Sequence, residues 1–523
     1  MLRCDWPWVV TVVLTSVMTS ALAGDLTRQE QDGKRFYRQG IAEGAQVVTA
    51  SIGQAPLILT AEKMPCASCH GQDGLGRPEA GVAPTNITWS NLTKPYGLRH
   101  DNGRSHPPYS FDTLIRAVTD GVDPAGNALD PTMPRYTLNS SVARDLVAYL
   151  QRLGTDSDQG VSSSEIAVAT IVPADGPVAE IGSLVRRLLA GYFDRLNREG
   201  GIYNRKIVLK TVSFDASRTA VDALQQLANE TEIFAVVAPV TTGQGTSVSE
   251  FADKSGLPVI GPLMDTRRLG VDRGGLTFYL TVGLVDQTRA LMRYARDTLV
   301  LANPRIAMVS SADNDALGIG EAIRRQCQDA DWTPPVSLDL TSRSAMADVA
   351  SQLHLAGVDT IFYHGHPALL AALLEQATWP GRRPVILTTS ASVTPGTMTL
   401  AQQHGVRMFV VFPHIPGDQS PEARELLHSL QVTNQIPAEH LAMQIATMAS
   451  ARILIEGLQR AGRNLSRTNF VTALAALRDF KTGLLPPVSF DANRRTGVRG
   501  AYIVTFPAMR EAQHVWIPLP DLK

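Results

Sequence analysis

Five consecutive residues, Cys66-Ala67-Ser68-Cys69-His70, carry chemistry in their spacing alone. Two thiols three positions apart share one side of a helical turn, where each can form a thioether to a porphyrin vinyl group. The adjacent imidazole then lies under the iron, which makes C-x-x-C-H the pattern of a c-type haem attachment site. Two plainer chemistries use the same residue types. A structural zinc site needs a second pair of ligands, and the remaining cysteines, Cys4 and Cys327, are far apart in sequence. A redox dithiol needs a βαβ surround, which the neighbouring sequence lacks. The expectation is one covalent haem c on Cys66 and Cys69, with His70 as an iron ligand.

Such a site needs elements to hold it. Before the motif, residues 29–44 have a helical pattern, with Phe36, Tyr37 and Ile41 as the apolar positions. After it, Gly71-Gln72-Asp73-Gly74-Leu75-Gly76 neither follows a strand nor opens a long helix, so it is a bend rather than a phosphate cradle. Residues 84–109 are polar and interrupted by prolines, and contain His100 and His106; they read as a long loop over the haem. Residues 111–119 place Leu114, Ile115 and Val118 on one helical face. A turn cluster at 120–127 leads to Met133-Pro134-Arg135-Tyr136. A last helix, capped by Ser141, carries Val142, Leu146, Val147, Leu150 and Leu153.

At 523 residues the chain is too long for one core, and two or three domains are expected. A net charge of -1 with 19% charged residues offers no basis for binding nucleic acid or a polybasic attachment to membranes. Arg3, the apolar stretch 9–22 and Ala21-Leu22-Ala23 before Gly24 form a secretory signal over residues 1–23, so a soluble, exported, periplasmic protein is expected. Its removal leaves Cys66, Cys69 and a single further thiol, Cys327.

The order C-x-x-C-H, G-x-D-G-x-G, glycine-rich turn, M-P-x-Y and a closing Y-L-x-x-L-G helix resembles a class I cytochrome c domain, here over residues 25–154. The resemblance implies Met133 as the sixth iron ligand, opposite His70. A thioether favours the ferrous state, raises the reduction potential and closes the iron to substrate, which suits electron transfer. His100 and His106 are the alternative ligands, or else loop residues.

Residues 155–164 are small and polar and read as a linker. The rhythm then changes. A continuous apolar run at 166–172 is followed by a helix with Ile181, Leu184, Val185, Leu188, Leu189 and Phe193 on one face, ended by Gly200-Gly201. Strand-like runs alternate with helices for the rest of the chain, which predicts parallel sheets covered on both faces.

Asn197-Arg198-Glu199-Gly200-Gly201-Ile202-Tyr203-Asn204-Arg205-Lys206-Ile207 resembles a signature of type I periplasmic solute-binding proteins, the receptors of ABC transporters for branched-chain amino acids and amides. Later blocks agree: Ala238 to Gly243, Gly256 to Pro262, and Val488-Ser489-Phe490-Asp491 before Tyr502. The expected fold is thus multidomain, a small all-α cytochrome c domain followed by a two-lobed α/β periplasmic-binding-protein type I fold over 165–523. The resemblance implies that Thr241, Thr242 and Gly243 hold a ligand carboxylate, as a helix N-terminus there would favour. Met264 and Asp265 follow the next strand, where Leu263 and Met264 are bulkier than the small residues of relatives. His366 stands where relatives offer an aromatic ring. Thr388-Thr389-Ser390-Ala391 replaces the acidic residue that pairs a substrate ammonium, leaving Ser390 as a polar contact and Asp265 as the carboxylate nearby. An unpaired buried ammonium is costly, which argues against a free α-amino acid.

A G-x-S-x-G elbow and an H-E-x-x-H helix are both missing from the sequence, so a hydrolase is not expected. The expected function is that of an electron carrier joined to a binding domain for an amino-acid- or amide-like compound, an alcohol or an acid. It would serve a periplasmic dehydrogenase or cytochrome as redox partner. The alternatives are an ABC-transport receptor with a modulatory haem and an associated permease, and a periplasmic redox or ligand sensor.

Overall fold

The computed structural model describes residues 26–519 apart from 46, 54–56, 77–82, 101, 155, 157, 216, 231, 265–273, 311–313, 377–382, 464 and 507–513. The expected signal segment 1–23 and Asp265 lie outside the described residues. The chain forms two units, Met1–Asp156 and Ser157–Lys523.

The first unit is built on two closely packed helices. Helix α1 (Arg28–Gln39) starts at a capping box in which Thr27 and Glu30 exchange side-chain and backbone hydrogen bonds, and it stops where Gly40 turns left-handed at φ 71°. Short helices α2 (Cys66–His70) and α3 (Trp89–Leu92) follow, then α4 (Phe111–Thr119). The closing helix α5 (Ser140–Arg152) is capped by Asn139, two residues earlier than the expected Ser141 cap, because the Asn139 carboxamide accepts from the amides of Ser141 and Val142. Helices α1 and α5 pack Phe36 and Tyr37 against Leu146, Tyr149 and Leu150. Ile41 falls beyond the end of α1 and is exposed.

Small antiparallel ladders accompany these helices. Strands β1 (Thr49–Ile52), β2 (Leu57–Thr60) and β5 (Arg135–Tyr136) form one sheet in the order β2-β1-β5; β3 (Leu98–Arg99) and β4 (Ser105–His106) form a hairpin. Strands of two to four residues have too few positions to show a period in sequence, which is why the first unit looks all helical there. The stretch expected as one long loop is in fact organised by α3 and by the hairpin, whose turn is Asn102-Gly103.

The second unit has two lobes. The first holds a parallel sheet of β6 (Glu165–Pro173), β7 (Lys206–Phe214), β8 (Ala235–Val237), β9 (Val259–Ile260) and β10 (Thr277–Phe278), ordered β10-β9-β8-β6-β7. Helix α6 (Ala179–Arg198) covers one face through Leu184, Leu188 and Leu189. The second lobe holds β11 (Ile306–Ser310), β12 (Val336–Asp339), β13 (Thr360–His364), β14 (Val385–Thr389), β15 (Met408–Phe412), β16 (Gly500–Phe506) and β17 (His514–Pro518), ordered β12-β11-β13-β14-β15-β16-β17. Strands β16 and β17 run antiparallel, so this sheet is mixed at one edge rather than wholly parallel.

Between its two visits to the second lobe the chain returns to the first. The helices Leu441–Ala461 and Arg467–Ala475 bury Ile453, Leu454, Leu458, Phe470 and Leu474 in the same core as β6 and α6. Among the described residues Leu441–Ala461 alone is long and apolar enough to cross a membrane, and most of it is buried in this core. Within the polar stretch at 155–164, Asp158 accepts from the Arg467 amide at 2.6 Å and Val161 packs against the first-lobe core.

Candidate functional site

In the first unit Cys66, Cys69, His70 and Met133 all line one cavity, of about 190 Å³. Pro65 precedes α2 and suits a helix start, since it has no amide to leave unpaired. The five-residue turn that follows sets Cys66 and Cys69 on one side with His70 at its end. Gly71, at φ 77°, lets the chain leave this turn: its amide donates to Ala67 O, and the Gly76 amide donates back to His70 O at 2.9 Å. Two buried tyrosines pin the flanks. The Tyr37 hydroxyl donates to Gly71 O at 2.7 Å, and the Tyr136 hydroxyl donates to Met64 O.

The His70 ring is oriented by its other nitrogen. Nδ1 lies 3.0 Å from Thr85 O, and because a carbonyl only accepts, the proton is on Nδ1 and Nε2 keeps its lone pair. Burial holds the His70 pKa below the ordinary imidazole value, against the pull of the Thr85 hydrogen bond, so the ring is in the neutral form a metal ligand needs. Burial also pushes the Cys66 thiol up to about 11. Cys66 and Cys69 are both free of disulfide bonds.

Met133 is held by its own loop. Its amide donates to Asp130 O at 3.1 Å, and the Arg135 guanidinium donates to the carbonyls of Met133, Leu129 and Asp130. That guanidinium lies over Gly121, whose left-handed backbone, at φ 69°, favours glycine in this turn. The rest of the cavity wall is largely apolar, with Ile87, Leu92, Leu114, Val118, Leu146 and Leu150. Two unpaired thiols, a neutral imidazole with one nitrogen already bound, a thioether and an apolar wall fit a covalently attached haem.

The sequence left His100 and His106 as alternative iron ligands or loop residues, without pairing them. The hairpin β3–β4 brings their rings together at 5.2 Å between centroids, on the same cavity, with Arg104 beside them. The signal was Asn102-Gly103 between them, a dipeptide that favours a tight hairpin turn.

In the second unit the residues expected to hold a solute lie at strand ends of both lobes. The Thr241 side chain is fully buried, and its hydroxyl donates to Leu263 O at 2.9 Å and lies 3.2 Å from Met264 O. The Gly243 amide donates to Met264 O at 3.1 Å. The loops after β8 and β9 are thus tied to each other by groups expected to face a ligand. Half-buried Thr242 and exposed Met264 both adopt left-handed backbones, φ 45° and 53°, an uncommon conformation for such residues and one that concentrates at binding loops. In the second lobe His366 is exposed, and its Nδ1 accepts from the Ala368 amide. Ser390 is half-buried just after β14. Beside it, the Thr389 hydroxyl is buried and lacks a hydrogen-bond partner among the described residues. The sequence placed Thr389 in the block that replaces the acidic residue but singled out Ser390 from it, since a strand-end threonine has no distinguishing pattern.

A family model described as "Periplasmic binding protein" matches residues 165–510, and one described as "Cytochrome c" matches residues 42–154. The Leu/Ile/Val-binding protein BraC3 of Rhizobium johnstonii is 25% identical over 332 residues, spanning 62% of this chain and 87% of that protein. Among solved structures, a fatty acid ABC transporter substrate-binding protein from Thermomonospora curvata matches with a TM-score of 0.55 at 16% identity, over 70% of this chain and 95% of that one. A branched chain amino acid ABC transporter from Thermus thermophilus with bound valine matches with a TM-score of 0.56 at 16% identity, over 68% and 97%. Likeness at such identities establishes the two-lobed fold alone.

Proposed function

Because the chain belongs to the periplasmic binding protein family and carries a cytochrome c domain ahead of it, we propose that it is an exported single-haem electron carrier joined to a receptor for a small solute. Both families are typically periplasmic and generally non-enzymatic. The observation that carries the redox half is the single cavity shared by Cys66, Cys69, His70 and Met133. Cys66 and Cys69 would hold the haem covalently, and His70 and Met133 would be its iron ligands. The bound haem c supplies reversible one-electron exchange. The chain's own part is positional: Thr85 fixes the His70 ring, Arg135 braces the Met133 loop, and the leucines and Ile87 exclude water. With His70 and Met133 both given to the haem, the domain would pass electrons to a periplasmic dehydrogenase or cytochrome rather than react with substrate.

Difference spectra test this. The wild-type protein should show a low-spin haem and a weak near-infrared band that disappears in Met133→Ala. A high-spin wild-type spectrum overturns the closed-iron reading.

For the second unit we read the ligand as an amide, alcohol or acid rather than a free α-amino acid. The support is the hydroxyl-bearing end of β14, where the buried Thr389 hydroxyl still has a hydrogen bond to give. The relative named as a Leu/Ile/Val-binding protein favours the opposite reading, and those named as ABC-transporter proteins favour delivery to a permease. A thermal-shift screen over amino acids, amides, alcohols and acids separates the ligand classes. Strong stabilisation by leucine, isoleucine or valine overturns ours.

A further inference from the structure

A second cavity, of about 750 Å³, lies in the second unit, and none of the solute loops after β8, β9, β13 and β14 contributes to its wall. Pockets for small organic molecules are usually about 300–1,000 Å³. The wall comes from α6, with Tyr192 and Leu196, from the helix Leu441–Ala461, with Arg452, Ile455 and Glu456, and from the loop around Gly483. The remainder is the segment 417–420, where the chain passes from β15 in the second lobe to the helix Pro421–Thr433. That helix packs Ala423, Leu427 and Leu430 into the first-lobe core.

These pieces are tied to one another by the chain's own bonds. The Ser420 amide donates to Gly483 O at 2.9 Å, and the Arg452 guanidinium donates to Thr482 O. Gly483 has a left-handed backbone, φ 71°, and a Cβ there would come to 3.1 Å from Arg452, Ala423 and Ser420 at once. The Asp418 carboxylate accepts from the Ile415 amide and the Tyr502 hydroxyl, each at 2.8 Å, which fixes the segment to β16.

Charge on the wall decides what such a cavity can take. Its carboxylates are engaged: Glu456 Oε1 is 2.6 Å from Arg460 Nε, Asp418 has the two donors just named, and exposed Glu422 bonds its own amide and Ser420. Its cations are not. Among the described residues no carboxylate pairs with half-buried Arg452 or with exposed Lys481. Arg452 also meets the Tyr192 hydroxyl, whose pKa burial raises against the pull of the guanidinium, so that partner is a neutral phenol. A half-buried guanidinium without a counter-charge is costly, and its planar fork matches a carboxylate. Leu196, Ile455, Phe480 and Leu485 give the same cavity an apolar side.

We propose that this cavity is a second ligand site, for a carboxylate with an apolar body, in which Arg452 and Lys481 take the anion and the apolar side takes the rest. Its wall residues differ from those of the solute loops, so the site is additional to the one already read, and its failure would leave that reading standing.

Calorimetric titration of the full-length holoprotein with benzoate and hexanoate, and with the neutral benzamide and hexanamide, tests it. Both acids should bind at least about tenfold more tightly than their amides, since hydrogen bonds to charged groups are the stronger ones. Arg452→Gln, which keeps a donor for Thr482 O, should weaken the acids by about tenfold or more, and Lys481→Glu, at an exposed position, by about fivefold. Thr389→Val alters only the solute loops and should leave the acids unaffected. Failure of both acids to bind, equal binding of acid and amide, or wild-type affinity in Arg452→Gln or Lys481→Glu overturns the proposal. Acid binding lost in Thr389→Val but kept in both cavity variants assigns the acids to the solute loops and overturns it as well.

Discussion

Asp123 shows how much one buried residue does in the first unit. Its side chain is fully buried, takes the Arg104 guanidinium, the Asn127 carboxamide and two backbone amides, and so anchors both the turn before Met133 and the hairpin that carries the histidine pair. A carboxyl held below its unfolded value stabilises the fold above that value, about pH 4, and the contribution is lost as pH falls through the lower, folded one. Acid unfolding should therefore draw partly on this group. Removing one partner of a buried pair costs about 3–5 kcal/mol, so Asp123→Ala should lower the urea midpoint of the first unit at pH 7 by that equivalent and lose part of the acid dependence. Urea titrations at pH 7 and pH 3.5 check it; a variant as stable as wild type at pH 7 would mean that Arg104 finds solvent without cost. None of this was legible in the sequence, where Asp123 is one residue of a polar turn. The proposed haem-binding residues differ in the same respect. Cys66, Cys69 and His70 declare themselves by being adjacent, whereas Met133 lies far along the chain and is singled out only by resemblance. The Arg104–His100–His106 cluster needs a hairpin to exist at all.

At the scale of elements, the close packing of α1 and α5 sets the frame for the cavity. Gly33 makes the close approach possible: a Cβ there would sit 1.9 Å from Asp145 O and 2.8 Å from Tyr149 Cβ, which are too near to yield without moving a helix. Gly33→Ala adds helix propensity on an isolated peptide but must separate the two helices here, and we expect it to destabilise the first unit by about 1–3 kcal/mol or more. The readout is its thermal midpoint together with the yield of covalent haem, both of which should fall; a higher midpoint would mean that the helices are free to shift. Helices of this kind were legible because Leu, Val and Ile repeat at three and four positions, and the strands of the second unit because they are continuous apolar runs. The short ladders β1, β2 and β5 were not, since their pairing is decided by partners distant in sequence. The solute loops fall between these cases. Their strand ends could be placed, yet whether a threonine hydroxyl faces a ligand or a carbonyl depends on the neighbouring loop, as Thr241 and Leu263 O demonstrate.

At the scale of the whole molecule, the apolar cores divide cleanly. Among the described residues, the buried core of the first unit runs from Phe36 to Leu153, and the buried cores of the second begin at Ile166, with Val161 packed against them. A cooperative unfolding unit is a set of residues that lose their shared burial together, so separate cores predict separate transitions. Unfolding enthalpy grows with length at about 0.7 kcal/mol per residue, so the larger heat belongs to Ser157–Lys523 and the smaller to the first unit. Each transition then has its own lever. Blocking haem attachment by Cys66→Ser with Cys69→Ser should lower or abolish the smaller one and leave the larger within a degree or two. A solute that binds the second unit stabilises only the state that holds it, by about 2.7 kcal/mol at a hundred times its Kd, and should raise the larger transition alone. Differential scanning calorimetry of the full-length protein, with and without that solute and in the double variant, decides this. If both levers moved both transitions, haem and solute would be energetically linked, and the joining of a redox domain to a binding domain would be a switch rather than a tether.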